Sequence, residues 1–201
     1  MFAGLVMGLL TGDLALALSI SVFFELVWLD LFPAGTYIHP NALSSVFLSV
    51  FLCQAFNLTT PSEAIIPLLL GGLSGEINAR LESLHRIRNN KAFTRLIKWA
   101  RSRHADDAAT PGRLIINAIS IIFAVNFVYF LCIEILGIGI IRLLRLLLEQ
   151  ADLGSYIIVP GMEWGHFWMA GLLGAILAIR YNRGYIVMAL ATLLTAVFIL
   201  G

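Results

Sequence analysis

The chain has 201 residues, of which 60% are hydrophobic and only 12% charged, with a mean hydropathy of +0.92. A soluble domain carries roughly a quarter charged residues, and one core in water would not bury this much apolar side chain, so the composition points to an integral membrane protein. The net charge of +1 matters less than where the charges fall. Cys53 and Cys132 both sit inside apolar runs without a CxxC partner, which reads as two small hydrophobes rather than a disulfide or a metal pair.

The first residues, Met1 to Leu10, carry no basic n-region and no small-residue cleavage site, so they do not read as a signal peptide. A helix of that length, about 15 Å, is too short for a hydrocarbon core of roughly 30 Å. The next run, Leu14 to Leu29, would make about 24 Å of helix and is expected to stop near Pro33 and Gly35. A second short run, Ala42 to Phe56, leads to a polar turn in which Thr60-Pro61-Ser62-Glu63 has the form of a helix start. The helix it opens, Ala64 to Leu73, contains Pro67 and Gly71-Gly72, which predict a kink or an early stop. Three short punctuated segments in succession suggest broken or re-entrant membrane helices.

The character then changes. Arg80 to Arg103 holds eight of the thirteen Lys and Arg residues, with Glu82 as its one acid before Ala105. Apolar residues at spacings of three and four predict two amphipathic helices separated near Asn89-Asn90, lying on the cytoplasmic side against anionic headgroups. A nucleic-acid partner is not expected, and His85 and His104 read as solvated loop residues. Pro111-Gly112 closes this segment. Leu114 to Leu136 is the clearest spanning helix, with Asn117 and Asn126 as interhelical hydrogen-bonding groups and Glu134 near the far interface. Ile138 to Gln150 reads as a separate interfacial helix with an Arg145–Glu149 pair. Tyr156 to Ile179 and Tyr185 to Leu200 are further apolar stretches around a basic turn at Arg180 and Arg183, on the same side as the central basic segment. The expected architecture is thus an all-α, polytopic helical bundle. Residues 1–75 form its broken first half, 76–112 the basic amphipathic segment, and 113–201 the remaining membrane helices.

Ionisable groups cluster in one stretch, from Glu25 through Asp30 and His39 to Asn41, broken by Pro33, Gly35 and Pro40. Polar groups at membrane depth usually face a cavity or a partner, and broken helices mark transporter sites. Glu25 and Asp30 are five apart, so they converge only if the helix breaks; otherwise Asp30 is a helix-end group and Glu25 pairs with a nearby donor. Trp28 and Tyr37 have the chemistry to stack a sugar ring, although both types also serve as interfacial anchors. His39 with the two acids matches no metal-ligand spacing, and Glu163-x-x-His166 is half of a di-metal motif whose second half is missing. No catalytic constellation, nucleotide loop, metal or cofactor is expected.

The stretch from Glu25 to Ala42 resembles the signature region of the sugar-translocating IIC component of the mannose/sorbose class of the bacterial phosphotransferase system. The resemblance rests on Glu25 in an apolar helix, the aromatic residues Trp28 and Phe32, Gly35, and Pro40-Asn41, where the family commonly has Pro-Asp. Gly12-Asp13, the central basic stretch and Arg183-Gly184-Tyr185 follow in a similar order. The family extends further at both ends, so a shortened member, a fragment or a mis-set start is implied. So is a multi-pass subunit of the bacterial inner membrane, homo-oligomeric within its complex. It would bind a hexose or amino-sugar through Glu25 and Asn41, with Asp30, Trp28, Gly35 and His39 around the site. Its implied partners are a IID membrane subunit and IIA and IIB phosphocarriers, of which IIB phosphorylates the sugar. Two other expectations stand beside it: an ion-coupled carrier titrating Glu25 and Asp30, and a scaffold subunit that does not transport.

Overall fold

The computed structural model describes residues 1–29, 38–101, 109–150 and 161–180, and all of their regular structure is helical. The helices are α1 (Phe2–Thr11), α2 (Leu14–Val27), α3 (Ala42–Ala55), α4 (Ile65–Arg101), α5 (Ala109–Gln150) and α6 (Trp164–Arg180). Asp30, Pro33, Gly35, Tyr37, His104 and everything after Arg180 lie outside the described residues.

Local chemistry explains the joints. Gly12 ends α1 with φ +80°, a left-handed conformation in which its N–H donates to Gly8 O. The next residue, Asp13, caps α2 by accepting from Leu16 N at 3.0 Å. A helical hairpin follows, and Gly4 and Gly8 let α1 lie directly on α2. A Cβ on Gly4 would stand 2.7 Å from Ala17 O, and one on Gly8 would stand 2.9 Å from Leu14 Cα. The expected start at Thr60 also forms: Glu63 Oε2 reaches back to accept from Thr60 N (3.1 Å) and Thr59 N (3.2 Å).

Two expectations about helix length give way. The early stop foreseen near Pro67 and Gly71-Gly72, and the break foreseen at Asn89-Asn90, are both absent, because α4 runs unbroken for 37 residues. Pro67 is the third residue of α4, inside the first turn, where its missing N–H has no intrahelical acceptor to lose. The helical cost of each Gly is about 1 kcal/mol and that of each Asn is below that, and packing offsets the former. Likewise Leu114–Leu136 and Ile138–Gln150 are one helix: α5 is 42 residues, roughly 63 Å, with Pro111 again in its first turn. Gly137, the expected joint, instead admits Leu52 and Leu48 of α3, whose methyls would lie 3.1 and 3.4 Å from a Cβ there.

The centre of the bundle is the crossing of α3 and α4. Gly71 and Gly75, one turn apart, face Ser45 and Ser49 of α3. A methyl on Gly71 would collide with Ser49 Oγ and stand 2.7 Å from Ser45 O; one on Gly75 would collide with Ser45 Oγ and approach Trp28 to 2.9 Å. Ser49 Oγ donates to Pro67 O at 2.9 Å, and Asn41 N donates to Gly75 O at 3.1 Å. Around this seam pack Ile20, Phe24 and Trp28 of α2 with Val46, Val50 and Cys53 of α3. Helix α6 covers α2, with Trp168 Nε1 donating to Ser19 O (3.1 Å) and Phe167 edge-on to Phe23.

Alongside a hydrophobic core, several polar residues are buried and α5 exposes an apolar face. Ser44, Ser45, Ser49, Ser74 and Asn78 are buried, whereas Ile116, Phe123, Phe127, Ile135 and Leu146 of α5 are each more than half exposed. Gly112–Gln150 is long and apolar enough to cross a membrane. Cys132 faces outward with this surface, in contrast to Cys53, which is buried as expected.

Replacing Gly71 by Val is expected to lower the stability of the detergent-solubilised protein by about 1–3 kcal/mol, the usual cost of overpacking, read as a lower melting temperature. An unchanged melt would count against the backbone contact. Glu63 supplies a second test. The Thr60 N–H, first among its partners, holds the Glu63 carboxyl below the usual carboxylate range. Its contribution to stability is therefore fully present above the unfolded value of about 4.3 and fades as pH falls through the lower folded value. Melting temperatures measured over this acid range are expected to fall less steeply for Glu63→Gln than for the unsubstituted protein.

Candidate functional site

Asn78, Glu82, His85, Arg86 and Asn89 recur along α4 at spacings of three and four, so they share one helical face. With Asn41 at the start of α3 and Ile122 and Asn126 on α5, they line a cavity of about 330 Å³. This lies at the lower end of the range of ligand pockets, roughly 300–1,000 Å³. Arg80 and Lys91 fall on the opposite face of α4 by the same periodicity and Arg88 to its side, so of the basic residues around this turn Arg86 alone lines the cavity.

Three carboxamides join the three helices. Asn41 Nδ2 donates to Asn78 Oδ1 at 2.7 Å, Asn78 Nδ2 donates to Asn126 Oδ1 at 3.4 Å, and Asn126 Nδ2 donates to Ile122 O at 2.9 Å. Asn41 is held from behind as well: its Oδ1 caps α3 by accepting from Ser44 N at 3.3 Å. Each amide nitrogen carries two N–H donors, and these bonds engage one apiece. One turn further into the bundle lies a hydroxyl layer. Ser44 Oγ and Ser74 Oγ are 2.6 Å apart, and Tyr129 Oη lies 2.8 Å from Ser74 Oγ while donating to Ser74 O at 2.6 Å. The sequence periodicity makes the layering inevitable, since Ser74 and Asn78 are four apart and Asn126 and Tyr129 three apart.

At the other end of the cavity, Glu82 Oε1 accepts from Arg86 Nη2 (2.6 Å) and Nε (3.1 Å), a half-exposed pair one turn apart. His85, expected as a solvated loop residue, is instead a wall of the cavity. Its Nε2 is shielded from solvent and has no hydrogen-bond partner among the described residues.

Of the expected site residues that the structure describes, only Asn41 lines this cavity. Trp28 is buried, stacked on Phe24 at 5.2 Å between ring centroids and edge-on to His39 at 6.0 Å, so it packs the α2–α3–α4 junction rather than offering an open face. His39 turns Nδ1 toward its neighbour Pro40 O, 2.6 Å away. Glu25 is half exposed and pairs with the amino terminus of Met1, which ties α1 to α2. Asp30 and Gly35 lie outside the described residues. His166 Nδ1 accepts from Glu163 N at 3.1 Å and so closes the start of α6; among the described residues no group of three potential metal ligands forms.

Asn126 meets its expectation of an interhelical bond, while Asn117 is exposed on α5. Arg145 does not pair with Glu149. It reaches Phe56 O at 3.4 Å and lies over the Phe56 ring at 4.8 Å, where a cation meets the carbonyl end of α3. An exposed i,i+4 pair is worth only tenths of a kcal/mol, so the helix terminus wins. Asn78, His85 and Asn89 were not expected at a site, because they sit within a segment whose charge dominates its appearance. Their three-and-four spacing was the available signal.

No family model, curated protein or solved structure matches the chain.

Asn78→Leu, which leaves two amides without their partner, is expected to cost about 1–3 kcal/mol. In a double-mutant cycle with Asn126→Leu, the two losses are expected to couple by roughly 0.6 kcal/mol, typical of polar contacts between membrane helices. Strict additivity in the detergent unfolding free energies would argue against the Asn78–Asn126 bond.

Proposed function

We propose that the chain is a multi-pass subunit of the bacterial inner membrane that binds and translocates a hexose or amino-sugar. It would serve as the IIC component of a mannose-class phosphotransferase system alongside IID, IIA and IIB partners. The carrying observation is a carboxamide-lined pocket at the junction of α3, α4 and α5, beside the apolar outer face of α5. Amides offer donor and acceptor in one plane and so suit vicinal hydroxyls. Asn41, Asn78 and Asn126 are sheltered at tolerable cost because hydrogen bonds join them across the helices. The signature stretch that resembles the family, Glu25 to Ala42, includes Asn41, which also lines the cavity. No nucleophile or phosphoryl acceptor is required of this chain, since phosphorylation would fall to IIB.

Uptake of radiolabelled hexoses and amino-sugars by cells expressing the chain with IID and IIB proteins tests this. The expected product inside the cell is the sugar phosphate, and it should vanish when either partner is omitted. Free sugar accumulating in response to a proton gradient would instead favour an ion-coupled carrier. Absence of uptake by correctly inserted protein would favour a scaffold.

A further inference from the structure

We infer that Glu134, at the edge of α5 beside α3, anchors a membrane-spanning helix of a different polypeptide that carries a lysine or arginine at the same depth. The pairing rests on the membrane placement in the proposed function and owes nothing to the solute carried.

Two polar layers fix the depth of Glu134. One is the junction of Asn41, Asn78 and Asn126, beyond which α4 continues into Arg80, Glu82, Arg86 and Arg88. The other is formed where Arg145 reaches Phe56 O at the end of α3, close to the Thr60–Glu63 cap. The rise of α5 from Asn126 to Arg145 is about 28 Å, near the roughly 30 Å of a hydrocarbon core. Glu134 is the only acidic or basic residue between Asn126 and Arg142, and it lies about 12 Å along the axis from either. The apolar run continues past it to Ile141, so it stands inside the slab rather than at its edge.

A carboxyl at this depth is costly, and such groups pair with a cation or line a water-filled path. Among the described residues no hydrogen bond or ion pair engages Glu134, and it does not line the amide cavity. Its surroundings along the helix are apolar. One turn before it, Phe130 packs edge-on to Phe47 of α3 at 5.1 Å between centroids; one turn after it, Gly137 admits Leu48 and Leu52. Glu134 is therefore partly buried at the rim of the α3–α5 contact. Beside that rim, Phe127 and Leu131 are 57% and 45% exposed, and with Glu134 they follow the four-and-three spacing of a helix-packing seam. A helix laid along this seam would cover the two apolar side chains and must bring a positive charge to the third position.

A second copy of the chain does not supply that charge. Helices α1, α2 and α3 contain no lysine, arginine or histidine, and α6 has only His166 and Arg180, near its two ends. The first basic residue of α4, Arg80, already lies past the asparagine junction, and the apolar run 185–200 has no charged residue. Copies inserted in the same orientation with α5 against α5 would set one Glu134 against another. The complementary cation belongs to another chain.

Synthetic helices of about 20 leucine and alanine residues, with either lysine or leucine at the central position, test this. They are mixed with the full chain in phosphatidylcholine vesicles and association is followed by energy transfer. The lysine peptide is expected to associate at least about ten-fold more tightly than the leucine peptide. Glu134→Leu should abolish that preference without lowering the melting temperature of the isolated chain, since it removes no bond among the described residues. Glu134→Lys should move the preference to a peptide with a central glutamate, and Phe127→Ala should weaken association of the lysine peptide. Equal affinity for the lysine and leucine peptides overturns the inference, as does a lysine preference that survives Glu134→Leu. A lower melting temperature for isolated Glu134→Leu would place the counter-charge within the chain, and energy transfer between copies that is lost in Glu134→Leu would make the partner a second copy; either result overturns it too. A chain that alkaline carbonate strips from the vesicles would instead sink the membrane placement.

Discussion

The close approach of α3 and α4 is the constraint on which the remaining structure depends. Gly71 and Gly75 have no Cβ, so the backbone of α4 settles against Ser45 and Ser49 at distances a methyl group would forbid. Within a bilayer there is little hydrophobic drive between helices, and association comes from close packing and interhelical hydrogen bonds. Both are present here: Asn41 N to Gly75 O, and Ser49 Oγ to Pro67 O. The crossing also sets the rotation of α4. With Gly71 and Gly75 turned to α3, Ser74 and Asn78 are turned toward the junction with α5, where Tyr129 and Asn126 meet them. Cavity and crossing are consequences of one packing choice.

The outer surface follows from the same economy of polar groups. Serines and asparagines are gathered at the helix junctions and satisfied there, which leaves α5 to present isoleucine, phenylalanine and leucine outward along most of its length. A monomer in water rarely exposes contiguous apolar patches beyond a few hundred Å². In hydrocarbon the same surface carries no penalty, and the buried amides are the groups that need partners. Helices α1, α2 and α3, at 10, 14 and 14 residues, are individually short of a bilayer's thickness. They pack against one another and against longer neighbours.

Much of the local structure was legible. Thr60 to Glu63 reads as a capping arrangement, and it forms. The short apolar helices fall where the apolar runs lie. Helix continuity was not legible, because Pro67, Gly71-Gly72, Asn89-Asn90 and Gly137 are all locally unfavourable and each is outvoted differently. Pro67 escapes its penalty by sitting in a first turn. Gly71 recovers its cost in contact with Ser45 and Ser49, and Gly137 does so in contact with Leu48 and Leu52. The residues drawn into the cavity divide in the same way. Asn41 stood out by its position after Pro40, and Asn126 by its isolation in an apolar run. Asn78 and His85 were hidden within a dense series of basic residues, most of which do not line the cavity.

By itself the sequence determined the helical class, the membrane-like composition, the places where chains turn, and the pairing of caps with helix ends. These depend on composition or on groups within about four residues of one another, so spacing along the chain is enough to specify them. Only the tertiary structure decided that Asn41, Asn78 and Asn126, 37 and 48 residues apart in turn, share one hydrogen-bonded junction, and that His85 faces it while Trp28 is sealed away. Those outcomes depend on how α4 is rotated against α3, which is set by the fit of two glycines to two serines. No periodicity within either helix contains that information, because each glycine and each serine acquires its meaning from the surface it meets.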